Sequence, residues 1–242
     1  MVAIAILESR HGTRTSVEFD KRDLRTLADS GEVDAFIVAT EDGFSPLGKN
    51  RSFLSSDLNI SEQEIGELAD WNRFENQQVT LVALRSRNSE SRLRGVILAP
   101  SENSECYKRF ATPRYGLPYR DFYYNITYEA IAHACGIWRA RHIAISHLSG
   151  AGNFHEDIAT CSAEALGHYC DGDGGTHIES FVFVGCCISM EHLTGISRLN
   201  AKAENGQHLP IAISVENREG YDMIHLNWNH DMRPRAPAAT QP

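Results

Sequence analysis

The sequence lacks the signatures of several large functional classes. None of its 6 cysteines stands in a C-x-x-C pair, so neither a zinc knuckle nor a dithiol redox motif is present. No Gly-Lys-Ser or Gly-Lys-Thr occurs, which excludes a P-loop. Also missing are His-Glu-x-x-His, the zinc-protease signature, and Gly-x-Ser-x-Gly, the nucleophile elbow. No apolar run approaches membrane-spanning length, so no membrane association is expected. The opening Met1–Leu7 stretch is apolar, but it has no basic flank and meets Glu8 too soon for a signal peptide. No internal repeat is found. Basic residues are also few: 23 Lys and Arg against 32 Asp and Glu give a net charge of −9. Non-specific nucleic-acid binding depends on neutralising phosphates, so it is not expected here. A nucleotide ligand remains compatible with this charge, because a local cluster of backbone N–H groups holds a phosphate whatever the total.

What is present suits a globular protein. Of 242 residues, 42% are hydrophobic and 23% charged, enough for a sizeable core. Residues 1–232 are expected to form one domain, and the proline-bearing tail from 233 to 242 to be disordered. Cys135, Cys161 and Cys186 sit in apolar stretches, as reduced core thiols of a cytoplasmic protein would. The composition says nothing of oligomeric state.

The pattern along the chain predicts an α/β fold. Val2–Leu7 reads as a first strand, and residues 23–30 as a short helix ending at Gly31. The apolar residues of Val33–Thr40 are continuous, as in a strand buried on both faces. Ser61-x-x-Glu64 is a capping box that opens a helix running to about Phe74. Strands are predicted at 79–84 and 95–99, with Arg85, Arg87, Arg92 and Arg94 in a solvated connection between them. Residues 100–125 have no clean period; their rings and guanidinium groups are read as a loop held by aromatic packing, with stacking on a base as the alternative. After it come a helix (126–139), a strand (142–147), a glycine-rich turn, a helix (154–169) and an apolar strand (181–187). Segments 211–215 and 223–226 close the order as a hairpin or edge pair. This β-α-β order predicts helices on both faces of a mixed, mostly parallel sheet.

The turn carries the chemistry. Strand, Ser149-Gly150-Ala151-Gly152-Asn153-Phe154 and helix follow one another. Gly150 and Gly152 let a ligand approach the main chain. Asn153 is a good N-cap, with Glu156 three residues on. First-turn N–H groups and the helix dipole then form an anion site, outside the carboxyl ends of the strands. A dinucleotide fingerprint fails here, because its third glycine is replaced by His155. His142, His147, His155, His168 and His177 lie close in sequence but lack metal-ligand spacing, so neither a metal nor another cofactor is expected.

These pieces resemble the macro domain family, the ADP-ribose-binding α/β/α fold, over residues 17–190 or so. Val33–Ala39 is similar to the family's buried strand. Arg22-Asp23-Leu24 stands where the family has Gly-Asp-Ile/Leu, so the resemblance makes Asp23 the adenine contact. It likewise assigns Ser149, Gly150, Ala151, Gly152 and Asn153 to the diphosphate and distal ribose, with Phe154 packing on the ribose. The family's Asn-Ala-Ala-Asn is here Ala39-Thr40-Glu41-Asp42, without the asparagine associated with ADP-ribose removal. Glu41, Asp42 and His155 are the candidate acids or bases if the chain is a hydrolase. The fold is also similar to the non-catalytic N-terminal domain of leucyl aminopeptidases. Three functions therefore stay open: a module binding ADP-ribose or a related nucleotide, a hydrolase of ADP-ribosyl or phosphate esters, and an assembly domain without ligand.

Overall fold

In a computed structural model of the chain, residues 2–40, 58–61, 63–64, 78–87, 91–101, 119–146, 156–172, 177–184 and 211–228 are described. The strands are β1 (Val2–Glu8), β2 (Arg14–Asp20), β3 (Ala35–Thr40), β4 (Gln78–Arg85), β5 (Gly95–Pro100), β6 (His142–Ser146), β7 (Ser180–Val184), β8 (Ile211–Arg218) and β9 (Tyr221–Trp228). They form one 9-stranded sheet in the order β1-β2-β7-β6-β3-β5-β4-β9-β8. The centre, β2-β7-β6-β3-β5, is parallel throughout. Antiparallel pairs flank it, β1 on one side and β4, β9 and β8 on the other. The sheet is thus mixed, with its parallel strands together in the middle.

Strand periodicity divides the core into two layers. Ala35, Ile37 and Ala39 of β3 pack on one face with Ile97, Ile143, Ile145, Phe181 and Phe183. That face is covered by two helices, α2 (Tyr119–Gly136) and α3 (Glu156–Asp171). Phe36 and Val38 point the other way, toward Leu24 and Leu27 of α1 (Leu24–Asp29) and toward Leu58 and Ile60. A strand sandwiched like this has no solvent face, which is why β3 reads as an unbroken apolar run. The result is three layers, helix–sheet–helix.

The short α1 owes its limits to its ends. Asp23 is its N-cap, its carboxylate accepting the Thr26 N–H at 2.9 Å. Gly31, at φ +65°, closes it by donating to Ala28 O at 3.0 Å. The capping box is also realised: Glu64 N–H donates to Ser61 Oγ at 3.1 Å, and Ser61 N–H to Glu64 Oε2 at 2.8 Å. Gln63 and Glu64 are helical, and the rest of the segment predicted as a helix, to about Phe74, lies outside the described residues.

Two segments differ from the sequence-based reading. The β2 strand was not anticipated, because Arg14, Ser16, Glu18 and Asp20 interrupt its apolar residues; only Thr15, Val17 and Asp20 are buried along it. Moreover, α2 starts at Tyr119, well before Ile126. Phe122 and Tyr123 are consequently core residues, 1% and 0% exposed, and offer no platform for a base. Arg85 at the end of β4, and Arg87, Arg92 and Arg94 between β4 and β5, act as internal ties. Arg85 reaches Asp222, Arg87 reaches Glu64, Arg92 reaches Asp34, and Arg94 donates to Trp138 O. Gly95 permits this packing, since a Cβ there would overlap the Leu84 carbonyl and lie 2.7 Å from Trp138 Cη2. Cys135, Cys161 and Cys170 are not joined in disulfides among the described residues. No helix among the described residues is long and apolar enough to cross a membrane.

Candidate functional site

The five parallel strands run in one direction, so their carboxyl ends form one edge. At that edge β2 ends at Asp20, β7 at Val184, β6 at Ser146, β3 at Thr40 and β5 at Pro100. Each sequence-predicted site residue follows one of these ends: Asp23 after β2, Glu41 and Asp42 after β3, and Ser149 to His155 after β6. In the sheet order β6 and β3 are neighbours, and β2 is separated from β6 by β7 alone. Strands distant in sequence are thereby brought side by side. Glu41, Asp42, Ser149, Gly150, Ala151, Gly152, Asn153, Phe154 and His155 themselves lie outside the described residues.

Asp23 is the one predicted site residue within them. It is exposed at the first turn of α1, and its Oδ1 also accepts the Thr26 hydroxyl at 2.7 Å. The turn that carries it is pinned by a chain of charges. The Asp20 carboxylate accepts the Arg22 N–H at 2.8 Å, and the guanidinium of Arg22 returns to the same carboxylate through Nη2 at 2.8 Å. The same Nη2 also donates to Glu32 Oε2 at 2.7 Å. Burial pushes the Asp20 carboxyl up, but the side-chain and backbone bonds from Arg22 outweigh it and hold the group below its ordinary value. Arg22 also lowers Glu32, while Glu32 and Asp20 together raise Arg22. The guanidinium is thus committed to two carboxylates within the turn.

The seam between β3 and β6 differs from its neighbours. Pairing of β3 with β5 continues to Thr40↔Pro100, and pairing of β6 with β7 continues to Ser146↔Val184. Between β3 and β6 the pairing among the described residues runs to Ile37↔Ile145. Past that point the buried Ala39 donates its N–H to the side chain of Ser146, at 2.8 Å, in place of a β6 carbonyl. On the far side of β3, Ser101 N–H donates to Thr40 O at 2.8 Å and extends the β5 contact. Among the described residues β3 is thus tied to β5 by main-chain pairing to its end, and to β6 at its end by a side-chain hydrogen bond, at the edge where open α/β sheets place ligands. Sequence patterning did not single out Ser146. A serine ending an apolar strand carries no local sign of a partner 107 residues away.

Polar groups at the opposite edge are turned onto the protein itself. The buried Asp34 accepts the N–H of Arg141 at 2.8 Å, the N–H of His142 at 3.0 Å and Nε of Arg92 at 2.8 Å. Close by, the buried Asp222 lies between Arg85 Nη2 at 3.0 Å and His133 Nε2 at 3.3 Å, and Trp138 meets His133 edge to face. Among the described residues, no three His, Cys, Asp or Glu side chains form a metal-binding group.

No family model matches the chain, and no curated protein matches it in sequence. Its fold does have solved counterparts. The macro domain of ganglioside induced differentiation associated protein 2 superposes with a TM-score of 0.51 at 11% identity, over 77% of this chain and 85% of that one. A point mutant of the Oceanobacillus iheyensis macrodomain gives 0.51 at 8% identity, over 83% and 93%. A point mutant of tomato leucine aminopeptidase gives 0.51 at 15% identity; 86% of this chain is covered, but only 45% of that enzyme. At these identities the likeness is one of fold, and the fold is macrodomain-like.

Proposed function

We propose that the chain binds ADP-ribose or a related nucleotide diphosphate at the carboxyl edge of its parallel strands. The observation that carries this reading is the sheet order. It gathers the ends of β2, β6 and β3 at one edge, and the residues picked from sequence follow those three ends. In this reading Asp23, exposed on its clamped turn, accepts a hydrogen bond from the adenine amino group. The Ser149–Phe154 turn, just ahead of α3, supplies main-chain N–H groups to the diphosphate, aided by the dipole of a 16-residue helix. Phe154 packs on the distal ribose. The macrodomain-like fold supports the assignment without fixing it, since the same architecture also forms part of an aminopeptidase. A hydrolase on this fold would draw on Glu41, Asp42 or His155. Reduced, buried cysteines such as Cys135 and Cys161 suit a cytoplasmic protein.

Calorimetric titration of the full chain with ADP-ribose, AMP and inorganic phosphate tests the reading. ADP-ribose is expected to bind tightest, and Asp23→Ala to weaken both adenine ligands by about tenfold, the equivalent of one charge-assisted hydrogen bond. Loss of Asp23 also removes a helix cap, so a thermal melt accompanies the titration. Absence of heat with every ligand leaves the assembly-domain reading. Release of ADP-ribose from a modified peptide, lost in Asp42→Ala, identifies the hydrolase.

A further inference from the structure

We infer that β8 is a self-association edge, at which a second copy of this chain adds its own β8 in antiparallel register about Ser214. The inference is independent of the nucleotide reading, since β5, β4 and β9 separate β8 from β3 in the sheet order. Among the described residues β8 pairs on one side only, with β9, and that pairing runs unbroken from Ile211↔Trp228 to Arg218↔Tyr221. Such a strand presents a row of main-chain donors and acceptors to another chain. Its side chains do not guard it. Ala212, Ile213, Ser214 and Val215 are all exposed, and none carries a charge. The next charges along the strand neutralise each other, with Arg218 Nε donating to Glu216 Oε1 at 2.9 Å. Directly paired residues share a face of the sheet. Ile213 and Val215 therefore continue the apolar layer of their buried partners Leu226 and Ile224, yet are themselves 39% and 47% exposed. The opposite edge is built differently. Strand β1 has a register shift between Ala3 and Ala5, and its exposed Glu8 pairs with Arg14, so the edge that carries the exposed Ile6 is interrupted. A second copy is the occupant that the β8 pattern fits. With a two-fold axis at Ser214, Ile213 of each chain lies opposite Val215 of the other, so both exposed β-branched side chains meet their like. Centred on Val215 instead, Ile213 would meet Asn217.

Analytical ultracentrifugation of the full chain, without ligand, tests this. An edge contact is small, so a Kd of about 10 μM is expected, with the average mass rising toward that of two chains between about 1 and about 100 μM. Ile213→Lys combined with Val215→Lys sets like charges opposite each other across the axis and leaves a monomer throughout. Ile213→Lys combined with Val215→Glu sets opposite charges there and restores association, as this register requires. Ile6→Lys, on β1, leaves association unchanged. Hydrogen exchange of the wild type needs no substitution and decides the matter even if a variant fails to fold. Amide protection within 212–216 is expected to grow about fourfold over the same concentration range, with the β1 amides unaffected. A wild type that stays monomeric, with β8 exchange independent of concentration, would overturn the inference. So would association that survives the double-lysine variant or is lost in Ile6→Lys.

Discussion

The two edges of the parallel sheet are tied in different ways. At the amino edge a buried aspartate, Asp34, ties three segments together: the Arg141–His142 turn through its N–H groups, Arg92 through its side chain, and β5 through the bond from Arg94 N–H to Asp34 O at 2.7 Å. A second buried aspartate, Asp222, does the same for β4 and α2. At the carboxyl edge the described pairing of β3 with β6 runs to Ile37↔Ile145, and a serine side chain links the strands past it. One edge spends its hydrogen bonds on stability. The other joins β3 to β6 at its end through a side chain, with the Ala39 N–H on Ser146 Oγ. Acidic side chains are held by the chain's own donors at both edges, Asp34 by Arg92 and Asp20 by Arg22, so their presence alone does not mark a site.

That contrast can be broken most strongly at Asp34. Its replacement by Ala removes the shared acceptor of the Arg141 and His142 N–H groups and of Arg92 Nε, at a cost of about 3 kcal/mol. In a chain of this size that lowers the melting temperature by about 6–12 °C, measured by calorimetry. ADP-ribose affinity of the folded fraction is expected to stay unchanged, since the lesion is at the opposite edge. The pH dependence of the same group has a definite sign. Burial pushes the Asp34 carboxyl up, but the bonds from Arg141, Arg92 and His142 outweigh it and leave the carboxyl below its ordinary value. Its contribution is therefore fully present above about pH 4, the unfolded carboxyl value, and is lost as the pH falls below it. Urea unfolding of Asp34→Ala and wild type should converge in that acid range.

A smaller effect is expected from His133. Burial, with help from Arg85, lowers this imidazole below its ordinary value, although Asp222 opposes the shift. The unfolded chain then binds the proton first as the pH falls through about 6.5, so stability declines from that point toward the folded value. Urea unfolding between pH 7.5 and pH 5.5 should show a shallower decline in His133→Gln than in wild type. Ser61→Ala is expected to give the smallest change, about 0.5–1 kcal/mol, the usual size of an N-cap. The backbone N–H of Ser61, followed by the Arg87 side chain, holds Glu64 down at about 2. The cap therefore persists to low pH, and the cost of Ser61→Ala should be nearly constant from pH 7 to pH 4.

Elements governed by neighbouring residues were legible in the sequence. Strand β3 shows as a continuous apolar run, α1 is bounded by Asp23 and Gly31, and the Ser61–Glu64 box is reciprocal in space as in sequence. Elements settled by distant partners were not. The polar residues of β2 are tolerated because it lies between β1 and β7, with Thr15 Oγ1 donating to Ile178 O at 2.7 Å. The aromatic opening of α2 lacks good helix formers, and core packing of Phe122 and Tyr123 makes it helical. Asp34 shows in sequence only as an acidic residue near the start of the 33–40 strand, and its role appears once Arg92, 58 positions away, and Arg141, 107 away, are brought to it. For the candidate site, sequence named the segments and the sheet order supplied their common edge. Ser146 became visible only through its hydrogen bond to Ala39.

The central claim is that a nucleotide diphosphate occupies the carboxyl edge. Backbone amide shifts in the two-dimensional NMR spectrum of the full chain, recorded with and without ADP-ribose, test it directly. The account predicts shifts at Asp23, Ala39, Thr40 and Ser146, with Asp34, Arg141 and Asp222 unmoved. Shifts concentrated at the amino edge, or none at saturating ligand, would contradict it.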